Sequence, residues 1–239
     1  MKPLIETGAS FDPHHYLAIE ETLLKTSGGR RILYLWQNDN TVVIGHNQDA
    51  NAECDLAAME KDGITLARRI SGGGAVFHDL GNLNFTFIAP RGILSIDENL
   101  GIIAEAVESF GIKTARTGNN DLGIEATGAK FSGSAFYQSG PDSDSPCFHH
   151  GTIMCGCDIE KMQKYLTPSS AKLSKHGVKS VKARVANLGL EPSKVRDAVI
   201  EVFEKHYGKA ERAGEEAADA IMVSEAQNRL SSHSWLFSI

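Results

Sequence analysis

The sequence lacks the segments that would hold a protein in a membrane or direct it to export. None of its 239 residues lies in an uninterrupted apolar run of about 18 residues, the length that a membrane-spanning helix needs. The first 15 residues also lack the long apolar stretch of a signal peptide. We therefore expect a cytoplasmic protein with no membrane partner.

Cysteine and positive charge are also scarce. The four cysteines (54, 147, 155 and 157) are unevenly spaced, which argues against a disulfide framework or a cysteine-based zinc ribbon. Twenty-four Lys and Arg residues face 30 Asp and Glu residues, so the formal net charge is -6 and we expect no nucleic-acid partner. The remaining composition, 41% hydrophobic and 23% charged, is typical of a globular protein with a sizeable core.

Capping signals predict three helices. Asp12 followed by Pro13 is a typical N-cap with proline at the first helical position. Asp97 and Ser193 are placed to begin two further helices with apolar residues at helical spacing. The Ala- and Glu-rich stretch 209–220 fits either a solvated helix or a partly ordered linker.

Short β-rich runs predict the strands. The runs 31–36 and 40–45 are separated by turn-forming residues and predict a hairpin. The runs 64–69 and 83–89 predict strands on either side of a glycine-rich loop. Because strands come in short groups between single helices, without regular βαβ alternation, an α+β fold is favoured over a doubly wound one.

The glycine-rich loop is the most informative segment. Residues 68–79 read RRISGGGAVFHD, and Gly72–Gly74 lack every Cβ, so backbone N–H groups can approach an anion closely. Arg68 and Arg69 add donors that suit a carboxylate or phosphate. The segment is neither a P-loop nor a dinucleotide-binding fingerprint. It predicts an oxyanion site, and the alternative is a flexible hairpin tip.

Residues 67–87, ARRISGGGAVFHDLGNLNFTF, resemble the signature of lipoate–protein ligases, members of the biotin and lipoate ligase superfamily. The resemblance continues, in the family's order, through DPHHYLAIEE, TVVIGHNQDANAEC, NNDLGIEATGAKFSGSAF, HHGTIM and SVKARVANL, and covers residues 9 to about 208. It implies an α+β catalytic domain with a mixed, mostly antiparallel sheet packed against helices. It also implies an enzyme that uses ATP and Mg²⁺ to convert lipoate into lipoyl-AMP.

The implied reaction brings two anions together, so it needs positioned cations and donors more than a protein nucleophile. By resemblance, Lys130 is the catalytic residue that contacts both the carboxylate and the α-phosphate, and Asp121 would hold Mg²⁺ or the lysine. The residues implied in binding ATP and lipoyl-AMP are Arg69, Ser71, Gly73, Gly74, Ala75, Val76, Phe77, His78, Asn82, Asp121, Lys130, Gly133, Ser134, Lys179 and Arg184. Those implied in the lipoyl pocket are His149, Gly151 and Thr152.

The segment 172–184 carries five cations and no acidic residue. It resembles the family's adenylate-binding loop, which shields the mixed anhydride from water, and the alternative is a solvated cationic loop. The second half-reaction passes the lipoyl group to a lysine of a lipoyl domain. The implied acceptors are the lipoyl domains of 2-oxoacid dehydrogenase E2 components or the glycine cleavage H protein.

The sequence departs from the family pattern near the site. His46 and Asn119 stand where the family usually has a cation. Many members also carry a small C-terminal domain beyond the element that resembles Trp235–Phe237, so we interpret residues 1–239 as the large catalytic domain alone. We expect a separate small-domain partner, without which the chain adenylates poorly or only transfers preformed lipoyl-AMP.

Three alternatives stay open from the sequence. Cys147 lies near the position where octanoyltransferases place a thioester-forming nucleophile. Replacing it with Ser separates the two activities, because a ligase keeps most activity and a transferase loses nearly all. Biotin ligation shares the adenylation chemistry, but its GRGR-like loop is missing. The third alternative is a non-catalytic lipoate-binding protein.

Overall fold

The computed structural model describes residues 1–8, 11–118, 120–167, 185–214 and 218–238. The strands are β1 (Leu4–Thr7), β2 (Ile32–Trp36), β3 (Thr41–Ile44), β4 (Thr65–Arg68), β5 (Val76–His78), β6 (Asn82–Pro90), β7 (Thr114–Arg116), β8 (Asp121–Ile124), β9 (Lys130–Gln138), β10 (Pro146–Met154) and β11 (Glu211–Ala213). The helices are α1 (Pro13–Thr26), α2 (Ala50–Glu53), α3 (Leu56–Asp62), α4 (Ile96–Glu108), α5 (Ile159–Tyr165), α6 (Pro192–Tyr207), α7 (Ala220–Leu230) and α8 (His233–Leu236). None of these helices combines the length and hydropathy needed to cross a membrane.

The described strands form two sheets. Eight of them lie in the order β11-β1-β2-β6-β10-β9-β8-β7, with β1 parallel to both of its neighbours and every other pair antiparallel. The smaller sheet has the order β4-β3-β5. The prediction of an α+β fold with a mixed, mostly antiparallel sheet is confirmed.

Helices cover both faces of the large sheet because its central strands alternate between two apolar surfaces. On β6, Phe85 and Phe87 pack with α4 and α6 in one core cluster. Ile88, on the other face, packs with α1 and α7 in a second cluster. On this second face β6 also places the buried polar residues Asn82, Asn84 and Thr86.

The prediction that residues 31–36 and 40–45 form a hairpin is wrong. β2 pairs with β1 and β6, whereas β3 lies in the smaller sheet between β4 and β5. Every residue of both strands is buried, so each strand needs a neighbour on either side. Residues 37–40 therefore connect two sheets instead of closing a tight turn.

The first helix begins as predicted, since Asp12 accepts a hydrogen bond from the N–H of His14 and Pro13 follows. The second begins earlier than expected, because Ser95 supplies the capping side chain. Helix α6 begins at Pro192, one residue before the predicted Ser193. In the Ala- and Glu-rich stretch, Glu211–Ala213 forms neither a helix nor a linker but an edge strand parallel to β1.

Candidate active site

A cavity of about 710 Å³ lies between the smaller sheet and the second face of the large sheet. The glycine-rich loop and β5 line one side, and strands β9 and β10 line the other. Lys130 and the segment Gly73–His78 line this same cavity, although 52 positions separate Lys130 from His78 in sequence. A single ligand can therefore contact both.

A β-bulge directs Lys130 towards the cavity. Asp121 is the cross-strand partner of Gly133, but Gly123 is the partner of Lys130, so β9 contains one extra residue between the two pairs. The extra residue restores Lys130 to the face that Gly133 and Asp121 occupy, whereas an odd spacing in a regular strand would place it opposite. The Lys130 Nζ atom lies 2.8 Å from Asp121 Oδ1.

The Arg69 side chain fixes the conformation of the glycine-rich loop through hydrogen bonds. Its Nη2 group donates to the carbonyls of Gly72 at 2.8 Å and Gly74 at 2.9 Å, and its Nε donates to Ser71 Oγ at 3.1 Å. Burial lowers its pKa to about 10, partly offset by Glu20, so the guanidinium stays charged at neutral pH. The loop carbonyls thus point at Arg69. No backbone–backbone hydrogen bond between described residues uses the N–H groups of Gly72–Gly74.

Arg68 does not serve as a ligand donor, contrary to the expectation from sequence. Its side chain is fully buried and does not line the cavity. Its Nη1 group donates to the carbonyls of His46 at 2.7 Å and Gln48 at 2.8 Å, and Nη2 donates to the carbonyl of Leu236 at 2.7 Å. Arg68 therefore joins the β3 end to the C-terminal helix α8.

Three buried side chains on the cavity wall, those of Asn84, His78 and Ser132, carry polar atoms that have no hydrogen-bond partner among the described residues. Both amide atoms of Asn84 are unpaired, and its cross-strand neighbours Trp36 and Thr152 also line the cavity. His78 Nδ1 lies 3.1 Å from the Asn38 amide nitrogen, whereas His78 Nε2 is buried without a hydrogen-bond partner among the described residues. Unsatisfied buried groups are costly, and a polar ligand would satisfy them.

His78 is neutral in this setting. Burial, with smaller contributions from Arg69 and His150, lowers its pKa to about 3. It therefore cannot act as a general acid near neutral pH.

The adjacent histidines on β10 face opposite sides of the sheet. His150 lines the cavity, and its Nε2 lies 2.7 Å from Ser71 Oγ while its Nδ1 lies 2.8 Å from Glu20 Oε1. His149, which the resemblance places in the lipoyl pocket, lies on the opposite face with Nε2 2.8 Å from Ser134 Oγ. Burial lowers the pKa of His149 to about 3, so it is neutral as well.

Cys147 is poorly placed to act as a nucleophile. It is fully buried, it does not line the cavity, and its thiol donates to the carbonyl of Ala89 at 3.2 Å. Burial raises its pKa to about 11, so the thiolate is rare at neutral pH. These observations disfavour the octanoyltransferase alternative.

The structure brings most of the predicted site residues to one cavity. Those that line it are Arg69, Gly73, Gly74, Ala75, Val76, Phe77, His78, Asn82, Lys130, Gly133, Ser134, Gly151 and Thr152. Ser71 and Asp121 do not line it but contact residues that do. Lys179 and Arg184 lie outside the described residues, and Val185, the first described residue after them, bridges to Lys130.

The sequence interpretation missed Asn84, Trp36 and His150. The sequence did contain a signal for Asn84. Asn82, Asn84 and Thr86 put a polar residue at every second position of a strand that the sequence clearly predicts. His150 could not be distinguished from His149 without knowing the strand register.

Within the described part of the chain, one cavity is surrounded by a loop whose N–H groups make no backbone hydrogen bond, a lysine and buried polar atoms without partners, a combination typical of an enzyme that binds anionic substrates. Comparison with known proteins shows which family within this class the chain belongs to. The model of the lipoyl protein ligase A/B catalytic domain matches residues 12–208. Lipoate-protein ligase A of Bdellovibrio bacteriovorus is 40% identical over 240 residues, which cover 95% of this chain and 70% of that protein. The chain belongs to the lipoyl protein ligase A/B catalytic domain family.

Solved structures with the same fold support this family assignment. P. falciparum LipL1 in complex with lipoate superimposes with a TM-score of 0.84 at 28% identity over 99% of this chain and 74% of that one. A bi-partite lipoate protein ligase from Thermoplasma acidophilum, described with its E2 lipoyl domain, gives 0.83 at 25% identity over 99% and 96%. A lipoate-protein ligase A bound with ATP gives 0.77 at 25% identity over 99% and 98%.

Proposed function

We propose that this chain is an ATP-dependent lipoate–protein ligase, which forms lipoyl-AMP and transfers the lipoyl group to a lysine of a lipoyl domain. The observation that carries the proposal is that the Lys130 side chain and the glycine-rich loop line one cavity. Relatives bound to lipoate and to ATP support the two substrates. We also propose that the protein acts in the cytoplasm.

In the first half-reaction, a lipoate carboxylate oxygen attacks the α-phosphorus of ATP, and pyrophosphate leaves with the electron pair of the broken P–O bond. The two reactants repel each other, and negative charge builds on the α-phosphoryl group. The Lys130 ammonium, with about a third of its side chain exposed, can lie between both oxyanions. The N–H groups of Gly72–Gly74 can donate to phosphate oxygens.

The residues present fit a magnesium ion carried in with ATP. Among the described residues no cluster of three metal-binding side chains occurs, so this part of the chain offers no all-protein cage. Mg²⁺ is commonly held by one or two carboxylates together with substrate phosphates, and Asp121 provides one carboxylate beside Lys130. A bound Mg²⁺ would neutralise phosphate charge during adenylation.

In the second half-reaction, an acceptor lysine amine attacks the activated carbonyl, and AMP leaves. The cavity needs only to hold the mixed anhydride and exclude water, since proximity supplies most of the acceleration. The E2 lipoyl domain paired with the T. acidophilum ligase supports lipoyl domains as acceptors. We extend the proposal to E2 components of 2-oxoacid dehydrogenases and to the glycine cleavage H protein.

We also propose that adenylation requires a separate small-domain protein. This chain covers 96% of one chain of the bi-partite T. acidophilum ligase. Purified alone, the chain is expected to adenylate lipoate poorly while still transferring the lipoyl group from added lipoyl-AMP. Strong ATP-dependent lipoylation by the single chain would contradict this part of the proposal.

The main test is lipoylation of an acceptor lipoyl domain with ATP, Mg²⁺ and lipoate, measured by mass spectrometry with and without a small-domain protein. Lys130→Ala should lower the rate about 10²–10³-fold, as removal of one positioned transition-state donor does. Lys205→Ala is the matched control, because Lys205 also forms an ion pair with a carboxylate, that of Glu105, and neither residue lines the cavity. Failure of the wild type under every condition, despite lipoate binding, would favour the non-catalytic alternative.

A further inference from the structure

Lys130 is a long, flexible side chain, and the proposed function requires its ammonium at one point. We propose that Gly133 is a positioning residue whose missing side chain makes the space in which that ammonium lies. The inference rests on the proposed function and gives Gly133 a role through Lys130 in place of a direct ligand contact.

The geometry around Gly133 supports this role. A Cβ added at Gly133 would lie 2.4 Å from Lys130 Nζ and 2.6 Å from Lys130 Cε, well inside van der Waals contact. The next nearest atom, Asp121 Oδ1, would be at an ordinary 3.5 Å. The Lys130 side chain thus crosses directly over the bare backbone of Gly133 to reach Asp121.

The strand register explains why the crossing occurs at this residue. Asp121 is the direct cross-strand partner of Gly133, and the bulge in β9 brings Lys130 to the same face. Lys130 must therefore pass over position 133 to pair with Asp121. Any side chain at this position would occupy the path.

The fold itself does not require glycine here. Gly133 is not among the glycines with positive φ, so an alanine can adopt its backbone conformation. The atoms that would collide belong to the mobile end of a lysine, which can rotate away at small cost. Alanine should consequently leave the fold intact and displace the ammonium from Asp121.

A displaced ammonium should slow chemistry more than it weakens binding. The substitution adds one methyl group to the cavity wall at Gly133 and leaves the glycine-rich loop untouched, so the KM values for lipoate and ATP should change less than kcat. A misplacement of about 1 Å can lower kcat about 10²-fold. A merely structural defect would instead lower thermal stability and raise both KM values.

The test compares Gly133→Ala with the wild type and with Gly101→Ala, a helical glycine where an added Cβ meets no atom within 4 Å. A crystal structure of unliganded Gly133→Ala should show Lys130 away from Asp121, with an unchanged Tm. In the lipoate-dependent release of pyrophosphate, measured with a small-domain protein present, kcat should fall about 10²-fold for Gly133→Ala and stay at the wild-type value for Gly101→Ala.

A double-mutant cycle shows whether the effect acts through the lysine. In a Lys130→Ala background, adding Gly133→Ala should cause no further loss of lipoyl-AMP affinity or residual activity. The inference is overturned if the Lys130–Asp121 pair persists in the variant structure, if kcat is unchanged, or if the two losses add. The crystallographic result needs no activity, so it decides the steric argument even if the wild type proves not to adenylate lipoate.

Discussion

Two buried neutral histidines should make the protein sensitive to mild acid. His78 and His149 are each less than a twentieth exposed, and burial is the main reason that the pKa of each falls from 6.5 to about 3. Electrostatic contributions from Arg69 and His150 at His78, and from His150 and Arg116 at His149, act in the same direction. Both imidazoles therefore remain neutral in the folded protein well below neutral pH.

The sign of the effect follows from which state binds more protons. Between about pH 6.5 and pH 3, the unfolded chain binds a proton at each histidine and the folded chain does not, so stability falls as the pH falls. From these pKa values, the linkage relation gives a loss of about 2 kcal/mol per histidine between pH 7.5 and pH 5.0. Such a loss is a large part of the stability of an ordinary domain.

Urea unfolding at pH 7.5 and pH 5.0 measures this loss, and His149→Gln isolates one histidine. The variant keeps a polar group near Ser134 Oγ, which lies 2.8 Å from His149 Nε2, but cannot be protonated. We expect its stability loss between the two pH values to be smaller than that of the wild type by about 2 kcal/mol. An identical loss in both proteins, or an NMR titration of His149 with a midpoint near 6.5, would refute the reasoning.

Three further substitutions test separate parts of the account. Cys147→Ser should keep most lipoylation activity, because the thiol lies outside the cavity and its pKa is raised to about 11; near-complete loss in the same assay would restore the thioester mechanism. Arg69→Met should lower the free energy of urea unfolding by about 2 kcal/mol, since it removes the charged donor that binds the carbonyls of Gly72 and Gly74; ATP affinity by calorimetry should fall with it. Gly151→Ala should destabilise by about 2 kcal/mol in urea, because its Cβ would lie 2.6 Å from the carbonyl oxygen of Gly133 and from the ring of Phe85.

Local signals in the sequence were reliable guides to local structure. Asp12 and Pro13 begin the first helix as predicted, and the apolar run 83–89 lies within strand β6. The pairing of strands was less accessible, because it depends on contacts between distant segments. Strand β2 pairs with β1 and β6. Its own residues do not reveal that it pairs with these two strands and not with β3, which follows it in the sequence.

For the candidate site, too, the sequence identified individual segments but not the arrangement that strand pairing gives them. The glycine-rich loop and Lys130 were identified by resemblance, and the structure places them around one cavity. The sequence could not show that β10 turns His150 towards that cavity and His149 away, since a shift of one residue in register would exchange them. Nor could the sequence show that the Arg68 guanidinium donates its hydrogen bonds to backbone carbonyls, because that depends on how helix α8 packs.

The most direct test of the central claim is lipoate-dependent exchange of labelled pyrophosphate into ATP, measured in the presence of a small-domain protein. The account predicts rapid exchange for the wild type and for Lys205→Ala, and a rate about 10²–10³-fold lower for Lys130→Ala with the fold retained. Exchange by Lys130→Ala at the wild-type rate would contradict the claim that its ammonium and the glycine-rich loop together hold the two reacting anions.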